Sequence, residues 1–199
     1  MTATLSPVTA PPPPLQRPRV IMVATGFAAA GSLMLFAGLF GIYLTLRAST
    51  VANGAAWLPK GTSLPLSQSN MLFATLLMSV VIVQWAVSAM RNDDRIGSYL
   101  ALGITLLLGL AFINQTAFLY SIMKLDVASG SAAVLIYAIT GAHIVMLIIA
   151  LVFVGLMAVR ALGGSFTSRH YDGLAAAALY WHVMVAVFAF IWMIIYVTK

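Results

Sequence analysis

Five stretches of this chain, roughly 20–46, 70–90, 97–123, 132–162 and 173–197, are each long and apolar enough to fill a bilayer. Crossing ~30 Å of hydrocarbon as a helix takes ~20 predominantly apolar residues, and few sequence features restrict folding so severely. None of the five shows the period-two alternation of a barrel strand, so each reads as a helix. The fold class is therefore all-α, an integral membrane bundle of five transmembrane helices within 20–199. Of the 199 residues, 62% are hydrophobic and 7% charged, which leaves too few polar groups to cover a water-soluble core.

The breaks between the runs carry turn chemistry. "RASTVANGAAWLPKGTSLPLSQS" is a long loop, "RNDDR" (91–95) a tight charged turn, "KLDVASGS" a short polar link, and "GGSFTSRHYD" a glycine-started loop. The three short links make the second and third, third and fourth, and fourth and fifth helices antiparallel neighbours. Residues 1–19, with "APPPPLQRPR", are expected to form a disordered proline-rich tail. Arg17 and Arg19 before an apolar run resemble the start of a signal peptide. That run, however, continues sixteen residues past Ala30, further than a cleaved signal needs.

A net charge of +6 invites a nucleic-acid reading, but the ten basic residues stand singly at the ends of apolar runs and read as membrane anchors. With the N-terminus in the cytoplasm, the inner segments hold Arg17, Arg19, Arg91, Arg95, Arg160 and Arg169; the outer ones hold Arg47, Lys60, Lys124 and Lys199. That asymmetry orients the chain N-in and, after five spans, C-out. Arg47, Arg91, Arg95 and Arg160 lie at helix ends, where guanidinium forks suit lipid phosphate.

The titratable inventory excludes more than it suggests. Cysteine is absent, which removes disulfides, thiolate metal sites and cysteine nucleophiles. All four carboxylates, Asp93, Asp94, Asp126 and Asp172, fall in connections, so no acid at membrane depth is available for ion coupling or proton relay. No general acid/base pair or Ser/His/Asp arrangement appears either. His143 and His182 each lie about ten residues from a helix end, ~15 Å deep, near the bilayer midplane. Two readings stand: paired axial ligands to a haem, or structural residues donating ring N–H groups across helix contacts. The structural reading weighs more, because few second-shell groups are at hand to orient a ligand. Gln84 and Ser88 share a face of the second helix, and Asn114 and Gln115 lie in the outer part of the third; interhelical hydrogen bonds are expected of them. Ala37 with Gly41, and Gly31 with Gly38, are spaced for close helix packing.

"SLMLFAGLFGIYLTLRA" (32–48), "ITLLLGLAFINQTAFLY" (104–120), "YAITGAHIVMLIIALVFV" (137–154) and "YWHVMVAVFAFIWMIIYV" (180–197) resemble, in order and spacing, subunit III of haem-copper respiratory oxidases. The likeness covers about residues 20–197 and is to the five-helix bacterial form. It implies a non-redox, non-catalytic subunit of a cytochrome c or quinol oxidase in the bacterial plasma membrane, packed on subunit I and near subunit II. Haem and copper would lie in the partner, none in this chain, which would bind phospholipid and support proton uptake and turnover stability. Alternatives are an accessory subunit of a nitric oxide reductase, or a small haem protein using His143 and His182. His143, His182, Trp181 and Gln115 are the retained polar positions. Leu33, Phe118, Met146 and Val185 stand where the family commonly has glutamate, glutamate, histidine and aspartate. Each replacement is apolar, so the likeness does not extend to roles resting on those carboxylates.

In the resembling family, the glutamate after the first-helix serine is the group a hydrophobic carbodiimide modifies. Leu33 occupies that position, so peptide mapping of the reagent-treated chain should find no adduct within the five spans. Leu33→Glu should create labelling at that position alone. An adduct inside any span of the unaltered chain would place an acid at membrane depth and overturn the assignment of the runs.

Overall fold

The computed structural model describes residues 19–59 and 61–198; the expectation of a proline-rich tail falls, up to position 18, outside the described residues. The elements are α1 (Val20–Ala52), α2 (Leu66–Arg91), α3 (Arg95–Met123), α4 (Ser131–Leu162) and α5 (Asp172–Ile191). A 3-10 turn, Val127–Ser129, precedes α4, and a π-helical segment, Trp192–Val197, continues α5. All five helices are long and apolar enough to cross a membrane. Among the described residues there is no strand, only one isolated bridge pairing Thr167 with His170.

Local chemistry sets the helix ends. α1 runs past Leu46 to Ala52, because Ser49 and Thr50 hydroxyls turn back onto the Leu46 carbonyl and need no outside partner. Gly54, with φ +75°, then lets the chain leave the helix. Asp94 caps α3 by accepting from the Gly97 amide at 2.9 Å, and Asp126 caps the 3-10 turn through the Ala128 amide at 3.0 Å. Asp172 occupies the first turn of α5, where the helix dipole favours a negative charge. Asp93 accepts from the Ser168 amide at 3.2 Å, which ties the α2–α3 turn to the α4–α5 loop at one end of the bundle. The carboxylates thus serve helix starts and turns.

α5 is the hub. It packs against α1, α2 and α4, while α2 packs on α3, α3 on α4, and α1 on α4. Half of α5's spanning window is buried, against 17% of α1's, so α1 leans on the outside of a four-helix group. Each pair joined by a short link is in contact.

The tightest point of the hub is Trp181. It is fully buried, and its indole N–H donates to the Ser79 hydroxyl of α2 at 2.8 Å. Its ring lies over Gly109 of α3, where a Cβ would come within 2.9 Å of Trp181 Cη2 and 2.6 Å of Leu151 Cδ2. Leu151 can turn aside, but the indole is held by its hydrogen bond. Gly109 therefore exists to admit Trp181 among α2, α3 and α4.

Two glycines of α3 separate this role from helix propensity. Gly103 has open space around it, so Gly103→Ala should be neutral or gain up to ~1 kcal/mol of helix propensity. Gly109→Ala should instead cost about 1–3 kcal/mol, the range for forcing a methyl into a packed site. Unfolding of the two variants in mixed detergent measures the difference; equal stabilities would remove the proposed contact.

Candidate functional site

Inside the bundle, polar atoms meet one another in small interhelical ties. Tyr120 donates to the Thr140 hydroxyl at 2.7 Å, and Thr140 in turn donates to the Ile136 carbonyl. Thr75 donates to the Gln115 carbonyl oxygen at 3.3 Å, joining α2 to α3. Ser32 and Tyr180 hydroxyls share a hydrogen bond at 3.3 Å between α1 and α5. The aromatic hydroxyls and indoles near the helix ends do the same: Tyr99 reaches the Ala161 carbonyl, Tyr137 the Leu125 carbonyl, Trp57 the Tyr43 hydroxyl, and Trp192 Asn70. Sequence reasoning passed over these tyrosines. A polar tip on an apolar ring, placed near the end of a span, was the signal available.

His143 is buried in an aromatic surround. Its ring lies 5.2 Å from Phe188, 5.6 Å from Phe112 and 6.4 Å from Phe36, centroid to centroid. Nε2 sits 3.2 Å from the Met184 carbonyl of α5. A carbonyl only accepts, so the network assigns the proton to Nε2. That bond joins α4 to the hub. His182, half-buried, directs Nδ1 to the Ala178 carbonyl one turn back, which places the proton on Nδ1 and leaves Nε2 an acceptor.

The two histidines do not share a space. His143 borders a small internal void with Thr116, Thr140 and Tyr196, whereas His182 lines an outward groove with Met22, Gln84, Ala175, Ala178 and Leu179. Bis-axial ligation requires both rings to face one cavity, so the paired-ligand alternative loses its geometry. Among the described residues no group of three His, Asp or Glu side chains gathers for a metal.

Several residues expected to pack or bond between helices meet no other helix among the described residues. Gly31, Ala37, Gly38 and Gly41 face outward on α1, and a Cβ at any of the three glycines would meet nothing within 4 Å. Their spacing allowed close packing, but α1 turns Phe36 and Tyr43 to the bundle instead. Gln84, Ser88 and Asn114 are also exposed, with no side-chain hydrogen bond among the described residues. Of the arginines, Arg91, Arg95 and Arg160 stand exposed at the Asp93 end, with Arg160 5.8 Å from the Phe166 ring centre. Arg47, at the other end, donates to both the hydroxyl and carbonyl of Thr198, closing the last turn after the π-helical segment.

A family model described as cytochrome c oxidase subunit III matches residues 22–199. Proteins named cytochrome c oxidase subunit 3 from Pan troglodytes and Homo sapiens are each 34% identical over 167 residues, 82% of this chain. The one from Cyprinus carpio is 33% identical over the same length. The match spans 64% of the length of each of these relatives.

The different settings of the histidines predict unequal costs. His143→Ala should lose about 2–4 kcal/mol, since it opens a buried aromatic site and leaves the Met184 carbonyl without its side-chain partner. His182→Ala, at the groove, should lose under about 1 kcal/mol. Equilibrium unfolding of both variants in mixed micelles checks the order; equal losses would contradict it.

Proposed function

The chain belongs to the cytochrome c oxidase subunit III family, and on that premise we propose that it is the non-redox subunit III of a haem-copper terminal oxidase in an aerobic respiratory chain. It packs on the catalytic subunit I beside subunit II, in a bacterial plasma membrane, with its N-terminus cytoplasmic. Electrons and oxygen are handled by haem and copper in the partner. This chain contributes a rigid apolar scaffold, bound phospholipid, and support for proton uptake and turnover.

The observation that carries this reading is the match of one continuous family pattern over nearly the whole described bundle. The geometry supports it. The bundle interior is tied by neutral hydroxyls, indoles and imidazoles, and its charged groups stand at helix ends. Such an interior suits a structural partner better than a charge-relaying one. The exposure of Arg91, Arg95 and Arg160 at one end supports their contact with lipid phosphate at the membrane surface. Arg47 is committed in part to Thr198, so it holds the end of α5 as well as facing the interface.

Gentle solubilisation should bring the chain out with a larger haem-bearing polypeptide. The Soret absorbance should follow that partner and remain unchanged in His143→Ala or His182→Ala. Elution as a monodisperse monomer free of oxidase polypeptides would defeat the subunit reading. A Soret band that tracks this chain alone and disappears in either variant would defeat the non-redox reading.

A further inference from the structure

The groove between α1, α2 and α5 combines shape with hydrogen-bonding need. It has a volume of about 460 Å³ and lies toward the end of the bundle marked by Arg91 and Asp172. Gln84 is seven residues into α2 from that end and His182 ten residues into α5, about 10 and 15 Å deep at 1.5 Å per residue. On the five-span reading both fall within the hydrocarbon. Among the described residues the exposed Gln84 amide has no hydrogen-bond partner, and His182 gives its Nδ1 proton to the Ala178 carbonyl while Nε2 meets no donor. Lipid tails satisfy neither group, and an unmet amide at that depth is costly. The outward face of α4 is the contrast: Val145, Ile148, Val152, Leu156 and Val159 are exposed and wholly apolar, as a lipid-facing surface requires.

We propose that this groove holds a transmembrane helix of a partner subunit, one that presents a hydroxyl, amide or indole N–H donor to His182 Nε2 and a hydrogen-bonding group to Gln84. The polar complement argues for such an occupant over a phospholipid, whose hydrogen-bonding head stays at the surface while only its tails reach this depth. The floor argues for it too. Ala175 and Ala178 are small and one turn apart, which lets a second helix backbone come close. The groove is open along α5, as a passing helix needs. The inference rests on the subunit reading and adds to it the face, the depth and the polarity of the contact.

Photo-crosslinking in native membranes tests it with the intact complex. p-Benzoyl-phenylalanine at Leu179, on the groove, should give an adduct with a partner polypeptide, and the same group at Val152, on the apolar face of α4, should not. Gln84→Leu should reduce co-elution of the partner about 5-fold, the scale of one interhelical hydrogen bond in a membrane. A polypeptide adduct at Val152 with lipid adducts alone at Leu179 would overturn the proposal while leaving the subunit reading intact. So would a bound quinone recovered from the groove with no polypeptide adduct at Leu179. Undiminished co-elution of Gln84→Leu overturns the polar tie and the proposal with it. If the chain elutes with no partner at all, the subunit reading falls as well, so the two failures are distinguishable.

Discussion

Hydrocarbon offers no hydrogen bonds, and the interior polar groups of this bundle turn either to a carbonyl of their own helix, as Thr105 and Thr116 do, or to a neighbouring helix, while among the described residues the buried Ser98 hydroxyl has no partner. Trp181 is where that requirement is most concentrated. Its indole fills the centre of the hub, gives its only N–H to Ser79 of α2, and fits because Gly109 of α3 has no side chain. One residue of α5 thereby fixes the separation of three helices. The His143 bond to the Met184 carbonyl and the Tyr120–Thr140 pair extend the same solution across the α4–α5 and α3–α4 contacts. Each such bond is worth on the order of 1 kcal/mol in a membrane, so the aromatic packing around them supplies much of the remaining cohesion.

Charge is handled by the opposite rule, which is exclusion from the spans. Asp94 and Asp126 cap helical starts, Asp172 lies in the first turn of α5, and Asp93 joins two turns at one end. An interior tied by neutral groups is rigid without being electrostatically active. Apolar Leu33 and Val185 fit this arrangement. Leu33 faces outward from α1, and Val185 is buried among apolar neighbours on α5. Neither place asks for a polar side chain to complete the fold.

The outward surface is not uniform. α4 presents branched aliphatic residues suited to lipid, while Gln84 and His182 present polar atoms at similar depth on the α2 and α5 side. α1, with its small residues turned outward and little of its length buried, adds to the surface available beyond the four-helix group.

Helix number, helix type and neighbour order follow from runs of about 20 apolar residues and short links, because hydrocarbon permits little else. The acids could be assigned to connections by position alone, and the family pattern was readable in four long motifs. The sequence by itself therefore determined the architecture and the family. It did not determine which face of each helix turns inward. In a chain so apolar throughout, hydrophobic periodicity is nearly flat, and spacing rules are satisfied equally on two sides of a helix. Gly31 and Gly38 are spaced for packing yet face outward, whereas Gly109, which no spacing rule singled out, receives Trp181. His143 and His182 lie at similar depth, but the rotation of α4 and α5 sends one to an aromatic interior and the other to an open groove. Depth is set by distance along a single helix, which residue counting yields. Facing is set by how helices rotate against one another, and the fit of large rings such as Trp181 into the gaps left by small residues decides it.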